Sequence, residues 1–156
     1  WRGFRRTLRD AGLDVAPATV LNGNFSLEGG YEATLALLDG PVAPTAVFAM
    51  SDEMAFGALM AVDERSLEPG VDISIMGVDD HEFSRVVDLT TVHQPVADHG
   101  SVAARLLIAA MTETEPTRRR TWPRLTDDLA ELVRGAVPFR PCLTLVERST
   151  TGHPPS

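Results

Sequence analysis

Hydrophobic positions along this chain recur at helical spacing in some stretches and form short unbroken runs in others. Apolar residues three and four positions apart line one face of a helix, whereas short apolar runs between turn residues are typical of buried strands. By these criteria helices and strands alternate along the sequence. The predicted helices lie at 1–11, 27–39, 53–65, 96–111 and 125–135, and the predicted strands lie at Thr19–Leu21, Thr45–Met50, Asp72–Gly77 and Leu143–Glu147.

Capping and turn residues mark the ends of these elements. Ser26 is a suitable N-cap for the second helix, and Asp52 is predicted to cap the helix Glu53–Arg65. Strands that alternate with helices pair in parallel through right-handed crossovers. The pattern therefore predicts an α/β fold with a doubly wound parallel sheet. The tail Thr150–Ser156 carries two prolines and is predicted to be frayed.

Two of the predicted strands end in polar turns that carry carboxylates. Ser51 and Asp52 follow the strand Thr45–Met50, and Asp79 with Asp80 follows the next one. In open α/β sheets the carboxyl ends of the strands form the edge where small ligands bind. Asp79 precedes no immediate helix that would need a cap, so its carboxylate is predicted to accept hydroxyl groups of a sugar or polyol. For Asp52 a helix cap is the favoured role, and ligand contact is the alternative.

An aromatic residue lies at the same predicted edge. Phe25 follows the first predicted strand and directly precedes Ser26. A ring in this position can stack on the face of a sugar or a base, and it can equally belong to the core. Both interpretations remain open from the sequence.

Charge and composition exclude several classes of protein. The net charge is −8, and all 14 basic residues are arginine, so the chain repels phosphate backbones. The basic cluster Arg118–Arg120 is flanked by acidic residues; a solvated loop is favoured there over a nucleic-acid patch. One cysteine excludes an internal disulfide framework. The longest apolar run, Leu106–Met111, is too short to cross a bilayer, and we expect a cytoplasmic protein without membrane contact.

Catalytic, cofactor and metal motifs find no support. Ser51, Ser74 and Ser84 lack the Gly-x-Ser-x-Gly setting of a nucleophile elbow. The four histidines lack metal-ligand spacing, and the glycines form no phosphate-binding loop. We therefore expect no enzyme activity, no catalytic residues, no metal and no cofactor.

Taken in order, several motifs resemble the effector-binding region of the LacI/GalR (lactose-repressor/galactose-repressor) family of transcriptional regulators. The resemblance covers about Trp1–Met111 and Leu143–Thr150. It rests on Gly3-Phe4, Asn24-Phe25, Gly30-Tyr31, Pro44–Phe48, Ser51–Ala55, Gly57-Ala58, Ile73–Asp80, Leu89–Pro95 and the closing Glu147–Thr150. It implies a periplasmic-binding-protein-like fold of type I, with two subdomains and an effector in the cleft between them.

The resemblance also implies a division of the chain. Residues 1–90 would form the C-terminal effector-binding subdomain, 91–111 a crossover and a helix of the other subdomain, 112–142 an extended connection, 143–150 a returning strand and 151–156 a tail. The chain starts at Trp1 without a methionine and inside a helical pattern, so we expect it to be part of a longer protein.

Site and partner assignments follow from the same resemblance. Asp79, Ser51 and Phe25 would line the effector site, with Asp52 as a further candidate. Ser51 stands where many relatives have Asn, and an effector-binding Arg of many relatives would fall upstream of Trp1. A homodimer interface would include Glu53, Met54, Phe56, Gly57, Met60, His81 and Phe83. Operator DNA would be bound through an N-terminal helix-turn-helix that this chain lacks.

Two other classes of function remain as alternatives. A sugar-binding protein of a transport system can have the same fold, and the sequence upstream of Trp1 would distinguish it by an export signal in place of a helix-turn-helix. A hydrolase or transferase on a doubly wound sheet would need a nucleophile and base pair, which the sequence does not offer. The closing Glu147–Thr150 motif and the Thr90–Pro95 crossover favour the regulator.

Overall fold

The computed structural model describes residues 2–13, 19–113 and 142–152. Two compact units are present, one formed by 1–93 with 145–156 and the other by 94–144. The predicted helix at 125–135, the arginine cluster and the last four residues lie outside the described residues. The elements are α1 (Arg2–Asp10), α2 (Leu27–Leu38), β1 (Ala46–Phe48), α3 (Asp52–Glu64), β2 (Ser74–Asp79), a 3-10 helix (Glu82–Arg85), β3 (Thr90–His93), α4 (Val96–Glu113) and β4 (Thr144–Val146).

A sheet with strand order β1-β2-β3-β4 organises the first unit. β1 pairs with β2 in parallel, with Phe48 opposite Met76, and β2 pairs with β3 in parallel, with Asp79 opposite His93. The helices that join these strands provide the crossovers that parallel pairing requires. The predicted α/β class is confirmed.

The core lies between α3 and the sheet. Its buried side chains are Ala49, Met54, Ala55, Ala58, Val62, Ile73, Ile75 and Leu89. Alternate residues of β2 face this core, which is the two-residue period of a strand. The helix therefore holds the ends of β1 and β2 in fixed positions.

Thr19–Leu21 does not form the predicted strand. The segment runs beside β1, and both line a cavity of about 420 Å³ together with α1. A strand requires a neighbour about 5 Å away across a ladder of hydrogen bonds. The segment is not among the four strands of the sheet, whose order begins at β1.

The chain after β4 is packed, which corrects the prediction of a frayed tail for its first residues. Thr150 is buried, and its Oγ1 donates to the Ile75 carbonyl at 2.8 Å and accepts from the Thr90 N–H at 2.9 Å. Gly152 N donates to the Ser74 Oγ at 3.2 Å. These contacts link β2 and β3 through a polar segment. Its hydroxyl side chains bond to backbone groups of the two strands, in place of backbone groups of a further strand. Composition alone did not reveal this role.

The described part of the second unit consists mainly of α4. The helix spans Val96–Glu113, close to the predicted range, and Val96 and Leu107 are exposed on it. None of the helices in the described ranges is both long enough and apolar enough to cross a membrane.

Candidate functional site

The carboxyl edge of the sheet brings together the residues that end β1, β2 and β3. Phe48 at the end of β1 lies opposite Met76, so the parallel strands end at the same edge, with Ser51 three residues after Phe48 and Asp79 as the last residue of β2. Asp79 is itself paired with His93 on β3. The register thus supports the expectation that Ser51 and Asp79 share one edge, although the two residues are far apart in sequence.

Ser51, and not Asp52, is the N-cap of α3. Its backbone is extended, with φ −151° and ψ 159°, and its Oγ accepts from the Met54 N–H at 3.3 Å. Asp52 is already the first residue of the helix, so its side chain cannot occupy the cap position. The prediction that Asp52 caps this helix is therefore wrong by one residue. Ser51 is buried, and its hydroxyl oxygen accepts the hydrogen bond that caps the helix.

Asp52 is a buried hub of hydrogen bonds. Its Oδ2 accepts from the His81 N–H at 2.8 Å and the Ser84 hydroxyl at 2.6 Å, and its Oδ1 accepts from the Thr91 hydroxyl at 2.5 Å. Gly77 on β2 makes room for this carboxylate, because a Cβ there would lie 2.2 Å from Oδ1. With no exposed surface, Asp52 offers nothing for an effector to contact in this structure.

The turn after β2 has an unusual backbone. Asp79 has φ +133° and Asp80 has φ +57°, both in the region that favours glycine. Residues are held in such conformations only where their surroundings impose them, and they concentrate at binding sites. Here the Asp80 N–H lies 3.3 Å from the Thr91 Oγ1, and the following His81 N–H is bound by Asp52. The turn after Asp79 is therefore held by hydrogen bonds to Thr91 on β3 and to Asp52 on α3.

Asp80 is committed to contacts inside the chain. Its Oδ1 accepts from an Arg148 guanidinium nitrogen at 2.9 Å, and its Oδ2 lies 3.1 Å from the His93 Nδ1. The Arg148 guanidinium, assisted by His93, holds the pKa of the Asp80 carboxyl below its ordinary value. Since that pKa is lowered on folding, the stabilisation is complete above about pH 3.9, the ordinary pKa, and is lost as pH falls through the folded-state value.

Phe25 lies beside a separate apolar cavity. It is 65% exposed and, like Asn24, has a positive φ, which strains a bulky side chain. Phe25 and Met50 line a cavity of about 170 Å³ between the loop before α2, α2, the end of β1 and α3. Neither Ser51 nor Asp79 belongs to that lining. Phe25 and Met50, which follows β1, line the same cavity. The ring of Phe25 is exposed and does not belong to the core.

Four of the residues expected at a dimer interface form an exposed surface, with Phe56 half-buried beside them. His81 stacks on Phe83 with ring centroids 5.5 Å apart, and Phe56 meets His81 edge-on at 5.9 Å. Phe83 and Met60 are 56% and 53% exposed, and Glu53 is exposed on the same helix. We call Glu53, Phe56, Met60, His81 and Phe83 the aromatic surface.

Met54 and Gly57 are not part of the aromatic surface. Met54 is buried in the core, and a Cβ on Gly57 would lie 2.0 Å from the Leu27 carbonyl oxygen and 2.5 Å from the Tyr31 nitrogen. Both residues face α2 within the same chain. Their expected place at an interface is corrected, since the close approach of α2 and α3 covers them.

Arg148 and Thr91 are the site residues that sequence reasoning missed. The Arg148 side chain reaches Asp80 from 68 residues further along the chain, and Thr91 reaches Asp52 across 39 residues. No local pattern links such distant positions. The closing segment is rich in hydroxyl and charged residues, which is a signal in the sequence that could have indicated a role for Arg148. Composition alone did not show which partners these residues have. In the described ranges, no group of three or more His, Cys, Asp or Glu side chains is arranged to hold a metal ion.

Comparison with known proteins relates the chain to one family. The family of periplasmic binding protein-like domains matches residues 1–127. The ribose operon repressor of Escherichia coli strain K12 is 35% identical over 131 residues, which cover 83% of this chain and 39% of the repressor. The chain therefore spans well under half the length of this curated relative.

Solved structures give the same relationship at the level of the fold. A LacI-family transcriptional regulator from Enterococcus faecium with bound ribose superposes with a TM-score of 0.65 and 27% identity, covering 96% of this chain and 49% of that one. The lac repressor dimer bound to operator and an anti-inducer gives a TM-score of 0.67 and 28% identity, covering 97% and 46%. In both cases the match covers about half of the larger chain.

Proposed function

The chain belongs to the family of periplasmic binding protein-like domains and is homologous to repressors of the LacI family, and on this premise we propose that it is the effector-sensing part of a transcriptional regulator. The regulator binds a sugar or a similar small polar molecule in a cleft and acts in the cytoplasm. Operator DNA is bound by a part of the protein outside this chain. Such an effector regulates only if it has different affinities for the two states of the regulator.

The observation that carries the effector proposal is the position of Asp79. It ends β2 at the carboxyl edge of the sheet, the edge at which β1 leads into Ser51, in a turn whose strained backbone is held by neighbouring residues. A carboxylate at this edge suits hydroxyl donors, and an exposed ring such as Phe25, which lines a cavity with Met50 after β1, suits the apolar face of a sugar. The related regulator with bound ribose supports the same chemical class.

The aromatic surface supports a homodimer. Phe83, Met60 and the stacked His81 form an exposed apolar group on the outer side of α3 and the 3-10 helix. Aromatic residues and methionine are enriched at the centres of protein interfaces. A related solved structure is a repressor dimer on its operator. We propose that a second copy of the protein covers this surface.

A second subdomain is the proposed environment of α4. Val96 and Leu107 are both 66% exposed on this helix. Apolar residues spaced along one helix are usually covered by a neighbouring element. We infer that residues 91–111 cross into that subdomain and that the chain returns through β4.

Replacing Asp79 with Asn is expected to weaken sugar binding about tenfold or more. The amide keeps the size of the side chain but loses the charge that strengthens hydrogen bonds from hydroxyl groups, a loss of about 1.5 kcal/mol or more. Calorimetric titration of the protein expressed from its complete gene, with D-ribose and D-glucose as probes, measures the effect. Asp63→Asn makes the same chemical change on an exposed position of α3 and should bind as the wild type. Equal affinities for the two variants would contradict the site.

Replacing Phe83 with Glu is expected to dissociate the dimer. The variant places a charge where an exposed ring stacks on His81, and a buried unpaired charge at an interface costs several kcal/mol. Sedimentation analysis over a concentration series should show a monomer at concentrations where the wild type is a dimer. Val42→Glu, also at an exposed apolar residue but on a different loop, should leave the dimer intact. A dimer of unchanged stability in the Phe83 variant would exclude this surface.

A further inference from the structure

Arg148 is held by contacts of both its backbone and its side chain. Its backbone N–H and carbonyl both bond to the Thr90 Oγ1, at 2.9 and 3.0 Å, so β3 fixes the residue. One guanidinium nitrogen donates to the Leu89 carbonyl at 2.5 Å, and the other donates to the Asp80 Oδ1 at 2.9 Å. The side chain is only 11% exposed. A partly buried guanidinium that donates one hydrogen bond to a carboxylate and another to a backbone carbonyl is a stronger and more directional partner than a surface ion pair.

Asp80 depends on this partner. Its two oxygens are taken by Arg148 and His93, and its left-handed backbone, with φ +57°, follows directly after Asp79 with φ +133°. Strained conformations persist when surrounding contacts over-determine them. Without the guanidinium, Asp80 would keep His93 as its side-chain partner but would lose its arginine next to the Asp79 carboxylate, and stronger repulsion between the two carboxylates would push their side chains apart.

We propose that Arg148 is a positioning residue for the effector site: by binding Asp80 it balances the second charge of the Asp79-Asp80 pair and fixes the turn that presents Asp79 to a sugar hydroxyl. This inference rests on the function proposed above. It assigns a task in ligand binding to the closing segment of the chain, 68 residues away in sequence from the carboxylate that it holds.

The segment around Arg148 keeps its other anchors when the guanidinium is removed. The Arg148 backbone bonds to Thr90 do not involve the side chain, and Thr150 separately bonds to Ile75 and Thr90. Arg148→Met, which retains the length of the aliphatic stem, should therefore fold. The variant tests the charge and the hydrogen bonds of the guanidinium without deleting the packing of its stem.

The experiment compares D-ribose and D-glucose binding by calorimetry in four proteins expressed from the complete gene. Arg148→Met is expected to weaken the binding of whichever sugar the wild type takes by about tenfold or more. Arg148→Met with Asp80→Asn is expected to recover most of the affinity, because the uncompensated charge is gone. Arg65→Met is the matched control, since Arg65 also makes a two-nitrogen pair with an aspartate, Asp39 at 3.1 and 2.8 Å, on a surface away from the sheet edge.

The outcomes separate this inference from the proposed function. Affinity that is unchanged in Arg148→Met, or that stays low when Asp80→Asn is added, would overturn the positioning role, because a purely structural Arg148 would not be rescued by removing a charge. If Arg148→Met alone does not fold, the double variant carries the test: near-wild-type affinity supports the role and weak affinity overturns it. If Arg148→Met or the double variant gives its negative result while Asp79→Asn loses binding, the positioning role is wrong and the proposed function stands. A wild type that binds no sugar would overturn both.

Discussion

Replacing Asp52 with Ala is expected to destabilise the protein by about 3 to 5 kcal/mol. The substitution removes the acceptor of three short hydrogen bonds and leaves the fully buried Ser84 and Thr91 hydroxyls and the part-buried His81 N–H without it. Each buried donor that loses its partner costs about 1 to 3 kcal/mol. The costs do not simply add, because the small side chain also lets neighbours relax.

Asp52→Asn refines this expectation. The amide has nearly the same shape, but one carboxylate oxygen becomes an NH₂ group that faces donors, so an intermediate loss of about 2 kcal/mol is expected. The midpoint of chemical unfolding measures the difference, with circular dichroism as the signal. Asp63→Asn, on an exposed position of the same helix, should shift the midpoint by an amount equivalent to no more than about 0.5 kcal/mol. If Asp52→Ala shifted the midpoint no more than this control, the carboxylate would not be a structural hub.

The contacts of Ser51 and Asp52 show why the sequence located the ends of the strands but predicted the wrong cap residue for α3. Apolar runs and turn residues locate the ends of β1 and β2, and parallel pairing then brings those ends together. Whether Ser51 or Asp52 caps α3 depends on which residue first takes helical dihedrals, a difference of one position that propensities do not resolve. The real partners of Asp52 lie 29 to 39 residues away and follow from tertiary packing alone.

Helical periodicity accounts for the errors on α3. Glu53, Phe56 and Met60 follow the three- and four-residue spacing of one face and are exposed or half-exposed together. Met54 and Gly57 lie about 100° further round and face α2. The family resemblance indicated α3 as a whole for an interface, but which face of the helix is covered inside the chain depends on the packing partner, and the pattern of apolar residues did not specify it.

Replacing Gly57 with Ala is expected to destabilise the protein by about 2 to 3 kcal/mol, although alanine is the better helix former. The added Cβ would lie 2.0 Å from the Leu27 carbonyl oxygen and 2.5 Å from the Tyr31 nitrogen, both backbone atoms of α2. Backbone cannot rotate away as a flexible side chain can, so α2 must shift. The gain in helix propensity, about 1 kcal/mol, offsets only part of this cost.

Gly3→Ala provides the matched comparison for Gly57→Ala. Gly3 also lies inside a helix, α1, but a Cβ there meets nothing within 4 Å. The same substitution is therefore expected to stabilise the protein by about 0.5 to 1 kcal/mol. Thermal unfolding of the two variants should thus move the midpoint in opposite directions from the wild type. A Gly57 variant that unfolds at or above the wild-type temperature would show that α2 and α3 are not held together by this backbone contact, because only an unobstructed Cβ leaves the propensity gain intact.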